Sequence, residues 1–197
     1  MTENPIKLAV IIGSVRRGRF GPTVAKWFAR QARANGGVSV DVIDLLDFPL
    51  PLQMPSPGRP CETETAEVRD RLGARLAAAD AFAVVTPEYN HTFPAALKNA
   101  IDWYQDEWNA KPVGLVSYGG MSGGLRASEH LRQVFAEVHA MTVRDALSFH
   151  NAWRQFEKDG APASPEGSEA AAKGLLGQLL WWAETLREAR STRPYKH

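Results

Sequence analysis

The chain has 197 residues, a net charge of +1, 44% hydrophobic residues and 23% charged ones. That length suits one domain spanning 1–197 with a core of ordinary size, and the near-neutral balance gives nucleic acid or an anionic membrane no electrostatic footing. A single cysteine, Cys61, excludes an internal disulfide, no Cys/His cluster has metal-ligand spacing, and no apolar run approaches the roughly 18 residues of a membrane span.

The first residues, MTENP, are polar and lead straight into a strand, so no secretory signal is read there and a cytoplasmic location is expected. IKLAVII (6–12) is almost continuously apolar, the pattern of a strand buried on both faces of a sheet. From Phe20 to Ala34, apolar residues at 20, 24, 28 and 32 form a helical stripe that stops at Asn35-Gly36-Gly37. VSVDVI (38–43) alternates, with Val38, Val40 and Val42 on one face, as an edge strand would. A proline-rich stretch over 47–63 predicts an irregular surface loop. A helix over 64–79 and the buried strand AFAVVT (81–86) follow it. Pro94 suits the first turn of a helix reaching Trp103, with Lys98 and Asp102 spaced for an i,i+4 ion pair. PVGLVS (112–117) reads as another central strand, a helix runs from Gly124 to His139, and MTVRDAL (141–147) is the last strand. An irregular stretch with Gly160, Pro162 and Pro165 leads to a C-terminal helix from Ser168 to Arg190.

Strands alternating with helices predict an α/β fold, a doubly wound parallel sheet with right-handed crossovers and helices on both faces. The most apolar strands are the first, third and fourth, which fits the order 2-1-3-4-5; pattern alone also admits other five-stranded orders. Ligands of such sheets bind beyond the carboxyl ends of the strands, where the order reverses. Three unusual loops fall there: GSVRRGRFGP, PEYNHTFP and SYGGMSGG.

The first loop is one step from the triphosphatase pattern GxxxxGK[ST]. Arg19 and Phe20 stand where Lys and a magnesium-binding hydroxyl belong, and no central strand ends in a metal-binding Asp, so hydrolysis is excluded. GxGxxG is missing too, because position 15 is Val. What remains is a turn of backbone N–H groups at a helix N-terminus, suited to a phosphate monoester. Ser14 adds a hydroxyl and Arg16 a charge-assisted contact, while Arg17 and Arg19 bring more cations than one phosphate requires. A plain strand-to-helix turn at Gly13 and Ser14 is the competing reading. In the second loop, Glu88, Tyr89 and Asn90 suit the edge and face of a planar aromatic ligand, although a tight turn at Asn90 and a solvated Glu88 explain them nearly as well. His91 reads as a polar loop residue. The glycines of the third loop permit close backbone approach to a flat ligand, or simply make a flexible turn.

Together, GSVRRGRFGPTVAKWF, PEYNHTFPAALKNAIDW and SYGGMSGGLRA resemble the NADPH-dependent FMN reductase family on the flavodoxin-like fold, over about residues 5–145. The resemblance implies that Ser14 and Arg16 bind the FMN phosphate, with Phe20, Gly21 and Pro22 beside it. It implies that Pro87, Glu88, Tyr89 and Asn90 hold the ribityl chain and ring, and that Ser117, Tyr118, Gly119 and Gly120 line the other side. Many family members carry Ser or Asn where this chain has Arg19 and Gly21. The implied activity passes two electrons from NADPH or NADH through FMN to a small acceptor: free flavin, a quinone, an azo dye, a nitro compound or chromate. No catalytic side chain and no metal are expected, since the flavin carries the chemistry. The backbone of Gly119 and Gly120 and the helix starting near Gly124 are expected to stabilise negative charge on the reduced ring. The resemblance also implies a homodimer or homotetramer, and a flavin-dependent monooxygenase is one candidate partner. A flavodoxin-type one-electron carrier is the alternative, disfavoured by the near-neutral charge and the arginines of the first loop. A non-enzymatic FMN-binding module is the third reading.

Overall fold

The period of two along the central strands divides the core into two layers. In the computed structural model, which describes residues 4–56 and 59–196, strand β1 (Ile6–Ile12) sends Leu8, Val10 and Ile12 to one face and Ala9 and Ile11 to the other. Strand β3 (Ala81–Pro87) does the same, with Ala81, Ala83 and Val85 opposite Phe82 and Val84. In β4 (Pro112–Gly119) Val116 and Tyr118 share the first face, Val113 and Leu115 the second. A strand apolar in both registers can only be satisfied with helices on both sides.

The first face is covered by helices α1 (Gly21–Asn35) and α5 (Pro165–Thr192), through Val24, Trp27, Phe28, Leu175 and Leu179. The second is covered by α2 (Thr63–Ala78), α3 (Ala95–Asp102) and α4 (Leu125–Glu137), through Leu72, Leu76, Ile101, Leu131 and Phe135. With β2 (Val38–Asp44) and β5 (Met141–His150), the sheet has the order β2-β1-β3-β4-β5, all pairs parallel, as the apolar ranking predicts. The edge reading of VSVDVI holds, since Val38, Val40 and Val42 are half-buried against the α1 layer. Lys98 and Asp102 pair at 2.7 Å, as their spacing predicts.

The structure moves several boundaries. Strand β5 runs three residues beyond 147, because Phe149 buries its ring against Trp27 at a centroid distance of 5.3 Å. Helix α5 begins at Pro165 rather than Ser168, proline being well suited to a first turn. Trp27 and Trp108 are buried, whereas Trp181 and Trp182 on α5 are 59% and 37% exposed. Lys111 is buried and donates its ammonium to the carbonyls of Leu76 and Ala77 at 2.9 and 3.0 Å, closing the end of α2. Burial, with Arg190 close by, pushes its pKa down to about 8. No described helix is long and apolar enough to cross a membrane.

Candidate functional site

Because β1, β3 and β4 are neighbours, the loops that follow them share one rim of the sheet. Gly13 makes the first junction. Its N–H donates to the Val85 carbonyl at 2.9 Å, and a Cβ there would sit 3.0 Å from the Leu97 side chain. The first loop is thereby pulled against the end of β3.

Two other contacts hold that loop. The Ser14 hydroxyl is fully buried and shares a 2.7 Å hydrogen bond with the Tyr89 phenol, joining the first loop to the second. If Tyr89 donates in that bond, the Ser14 hydroxyl keeps its own proton to donate elsewhere. On the other side, Arg19 forks onto Asp44, at the end of β2, with both contacts at 2.6 Å, and also donates to the Ser14 carbonyl at 2.6 Å. Its charge is spent inside the protein. Arg16 is the opposite case: exposed, with its guanidinium 5.8 Å from the Tyr89 ring centroid and no carboxylate partner among the described residues. Helix α1 begins beside it with no side-chain cap and no acidic residue in its first turn. An uncapped helix N-terminus next to an unpaired arginine has the charge and the free N–H groups that suit an anion.

Phe20 and Tyr118 act beneath this loop. Phe20 packs its half-buried ring on Phe156 at 5.4 Å and on Tyr118 at 6.3 Å. A Cβ on Gly21 would stand 2.8 Å from the Tyr118 hydroxyl, so the loop lies directly on that phenol. The hydroxyl is buried, with the Ser14 side chain and the Gly21 backbone as its polar neighbours. Burial, with Tyr89 nearby, pushes its pKa well above the ordinary tyrosine range. Pro22 lies in the first turn of α1. The Tyr118 side chain is thus a floor for the first loop, and only its backbone lies at the third.

In the second loop the tight turn is real. Tyr89 and Thr92 exchange backbone hydrogen bonds of 2.8 and 3.1 Å, and Asn90 and His91 take the left-handed conformation at φ 49° and 70°. Two successive positive φ angles make a hairpin-type turn that presents Asn90 to solvent. Pro87 is buried at the end of β3. Glu88 is not solvated. Its side chain is only 7% exposed, pairs with Arg126 at 2.6 Å and accepts the Arg126 backbone N–H at 3.2 Å, in the first turn of α4. Desolvation raises its pKa, but the hydrogen bonds from Arg126 and Ser122 outweigh that, and the carboxyl stays below its usual value of 4.5. The positive end of α4, expected to face the reduced ring, is therefore compensated by Glu88, which leaves the loop backbone as the candidate for that role. A depressed carboxyl pKa contributes stability that is complete above 4.5 and lost as pH falls through the lower, folded-state value. Glu88→Gln is expected to cost about 1–2 kcal/mol at neutral pH and less as the pH falls below 4.5, read by urea unfolding at several pH values. A pH-independent difference would contradict this.

The third loop is braced from below. Ser117 is fully buried and donates to the Gly123 carbonyl at 2.9 Å, as does Ser148. The Gly120 carbonyl accepts the N–H groups of Gly123 at 3.2 Å and Asn151 at 2.8 Å. The Ser117 side chain thus shapes the loop, leaving Gly119 and Gly120 as its approachable backbone. Trp153, absent from the sequence reading, stands at this rim 60% exposed, 3.6 Å from where a Gly120 Cβ would be. Asn151, at φ 48°, aims the short helical turn Ala152–Arg154 that carries it. A lone tryptophan after the last strand carries no signal that topology does not supply.

Five parallel strands in the order β2-β1-β3-β4-β5, with three distinctive loops at one rim, define a doubly wound α/β protein. The chain belongs to the NADPH-dependent FMN reductase family, whose model matches residues 6–154. It is 42% identical to an NAD(P)H-dependent FMN reductase of Schizosaccharomyces pombe over 126 residues, 62% of each chain. It is 32% identical to a quinone reductase of Escherichia coli over 196 residues, 94% of this chain and 97% of that one. Among solved structures, the flavoenzyme NAD(P)H:(acceptor) oxidoreductase FerB of Paracoccus denitrificans matches with a TM-score of 0.63 and 25% identity, covering 93% of this chain and 98% of that one.

Proposed function

We infer that the chain is an NAD(P)H-dependent flavin oxidoreductase in which the first loop anchors the FMN phosphate and the acceptor is a quinone. The observation that carries the anchor is the unpaired Arg16 at the uncapped start of α1. FMN bound here supplies the hydride chemistry between the nicotinamide and the acceptor. The protein's own part is to bind, orient and exclude. Arg16 neutralises phosphate charge, Tyr89 and the turn at Asn90 form one wall, and Gly119 and Gly120 let the opposite wall approach closely. Trp153 and Met121, 60% and 89% exposed, give the rim an apolar border that favours a flat, weakly polar acceptor. The full-length similarity to a quinone reductase supports the same choice.

Steady-state kinetics with NADPH and NADH against a benzoquinone test this. Parallel double-reciprocal lines are expected, since both substrates use one ledge in turn; intersecting lines or no quinone-dependent turnover would contradict it. The chain acts as one cytoplasmic domain and assembles as a homodimer or homotetramer. The exposed Trp181, Trp182, Leu46, Leu52 and Met54 supply apolar surface for that contact. Sedimentation checks the assembly, and a monomer at micromolar concentration would refute it.

A further inference from the structure

Of the arginines in the first loop, Arg19 is the one held most firmly, yet its contacts turn it away from anion binding. Its side chain is 12% exposed and that of Asp44 is 21% exposed. Nη1 and Nη2 each reach one Asp44 oxygen at 2.6 Å, and Nη1 also reaches the Ser14 carbonyl at 2.6 Å. Asp44 itself accepts the Leu46 N–H at 3.0 Å, so the carboxylate is fixed at the end of β2. A guanidinium forked onto a carboxylate brings no net charge to a ligand. It does fix a peptide plane. The Ser14–Val15 peptide is trans, so tying its carbonyl toward Arg19 turns the Val15 N–H to the opposite side. Arg19 is thus part of the loop's framework, while Arg16 and Arg17 are exposed with no carboxylate partner among the described residues.

We propose that Arg19 and Asp44 are positioning residues, a latch from β2 that holds the first loop in its anion-binding shape. The proposal rests on the reading of that loop as the FMN phosphate grip. It makes a prediction whose sign opposes simple electrostatics. Asp44 is a negative charge close to where a dianion would bind, so on charge alone its removal should tighten FMN. A latch requires the reverse, because freeing Arg19 frees the Ser14 carbonyl.

The test measures dissociation constants of FMN and riboflavin with flavin-free protein, by quenching of flavin fluorescence. The variants are Arg16→Ala, Arg19→Ala, Asp44→Ala, Asp44→Asn and the Arg19→Ala/Asp44→Ala pair. Asp44→Ala is expected to weaken FMN about tenfold while leaving riboflavin, which lacks the phosphate, unchanged. Asp44→Asn keeps an acceptor for the Leu46 N–H and is expected to show the same direction with a smaller effect. The double variant should be no worse than either single one, as for two halves of one device. Riboflavin affinity guards against misfolding, since a general collapse weakens both ligands together and would overturn the proposal. FMN binding that tightens or stays constant in Asp44→Ala, with Arg16→Ala still weakened, overturns the latch alone. No effect from either Arg16→Ala or Asp44→Ala overturns the phosphate assignment, and the latch with it.

Discussion

Arg16→Ala is expected to weaken FMN binding by one to two orders of magnitude and to leave riboflavin binding unchanged. The guanidinium is exposed, over the Tyr89 ring, with no competing carboxylate among the described residues, so its full charge is available to a ligand. A hydrogen bond to a charged group contributes about 1.5–3 kcal/mol, and about 1.4 kcal/mol is tenfold in affinity. Arg19 does not replace it, being neutralised by Asp44. Fluorescence titration of flavin-free protein reads both constants. Equal weakening of FMN and riboflavin would mean that Arg16 shapes the loop without meeting the phosphate. Unchanged FMN affinity would place the phosphate elsewhere.

Gly123→Ala is expected to destabilise the protein by roughly 2–5 kcal/mol, the sum of strain at positive φ and overpacking, and to abolish tight FMN binding. Gly123 sits at φ 62°, and a Cβ there would stand 2.7 Å from His150 Cδ2 while also striking the Ser148 hydroxyl. Neither neighbour is free to yield: Ser148 donates to the Gly123 carbonyl, and His150 Nδ1 donates to the Met121 carbonyl at 2.7 Å. The Gly120 carbonyl is held by Gly123 and Asn151, so a shift at 123 moves the whole ledge. A control comes from α5, where Gly177 is exposed and a Cβ would meet nothing within 4 Å. Gly177→Ala should instead gain about 0.5–1 kcal/mol from helix propensity. Urea unfolding measures both. A Gly123→Ala protein as stable as the parent would show that the loop tolerates a second conformation.

The fold was legible because its central strands are apolar in both registers. IKLAVII and AFAVVT can only be strands covered on two sides, and that fixed their central place in the order. The loops were legible as a rim because topology brings the ends of β1, β3 and β4 together. Individual roles within them were not. Glu88 looks like a solvated acid in the sequence, and only the packing of α4 against β3 shows it pinning that helix. Tyr118 alternates with Ser117 along β4, and the pleat sends its ring beneath α1 rather than toward the ledge. Arg19 and Asp44 are 25 residues apart, so their pairing is a property of the β1–β2 register alone. Trp153 reaches the rim through a left-handed Asn151, which no apolar pattern announces.

One anaerobic experiment with the FMN-loaded protein tests two-electron transfer most directly. Titration with NADPH should bleach the flavin in a single two-electron step, with no long-wavelength one-electron species accumulating. One equivalent of benzoquinone should then restore the oxidised spectrum. Slow or absent bleaching by NADPH and NADH alike, or a large stable one-electron species, would contradict the account and identify an electron carrier instead.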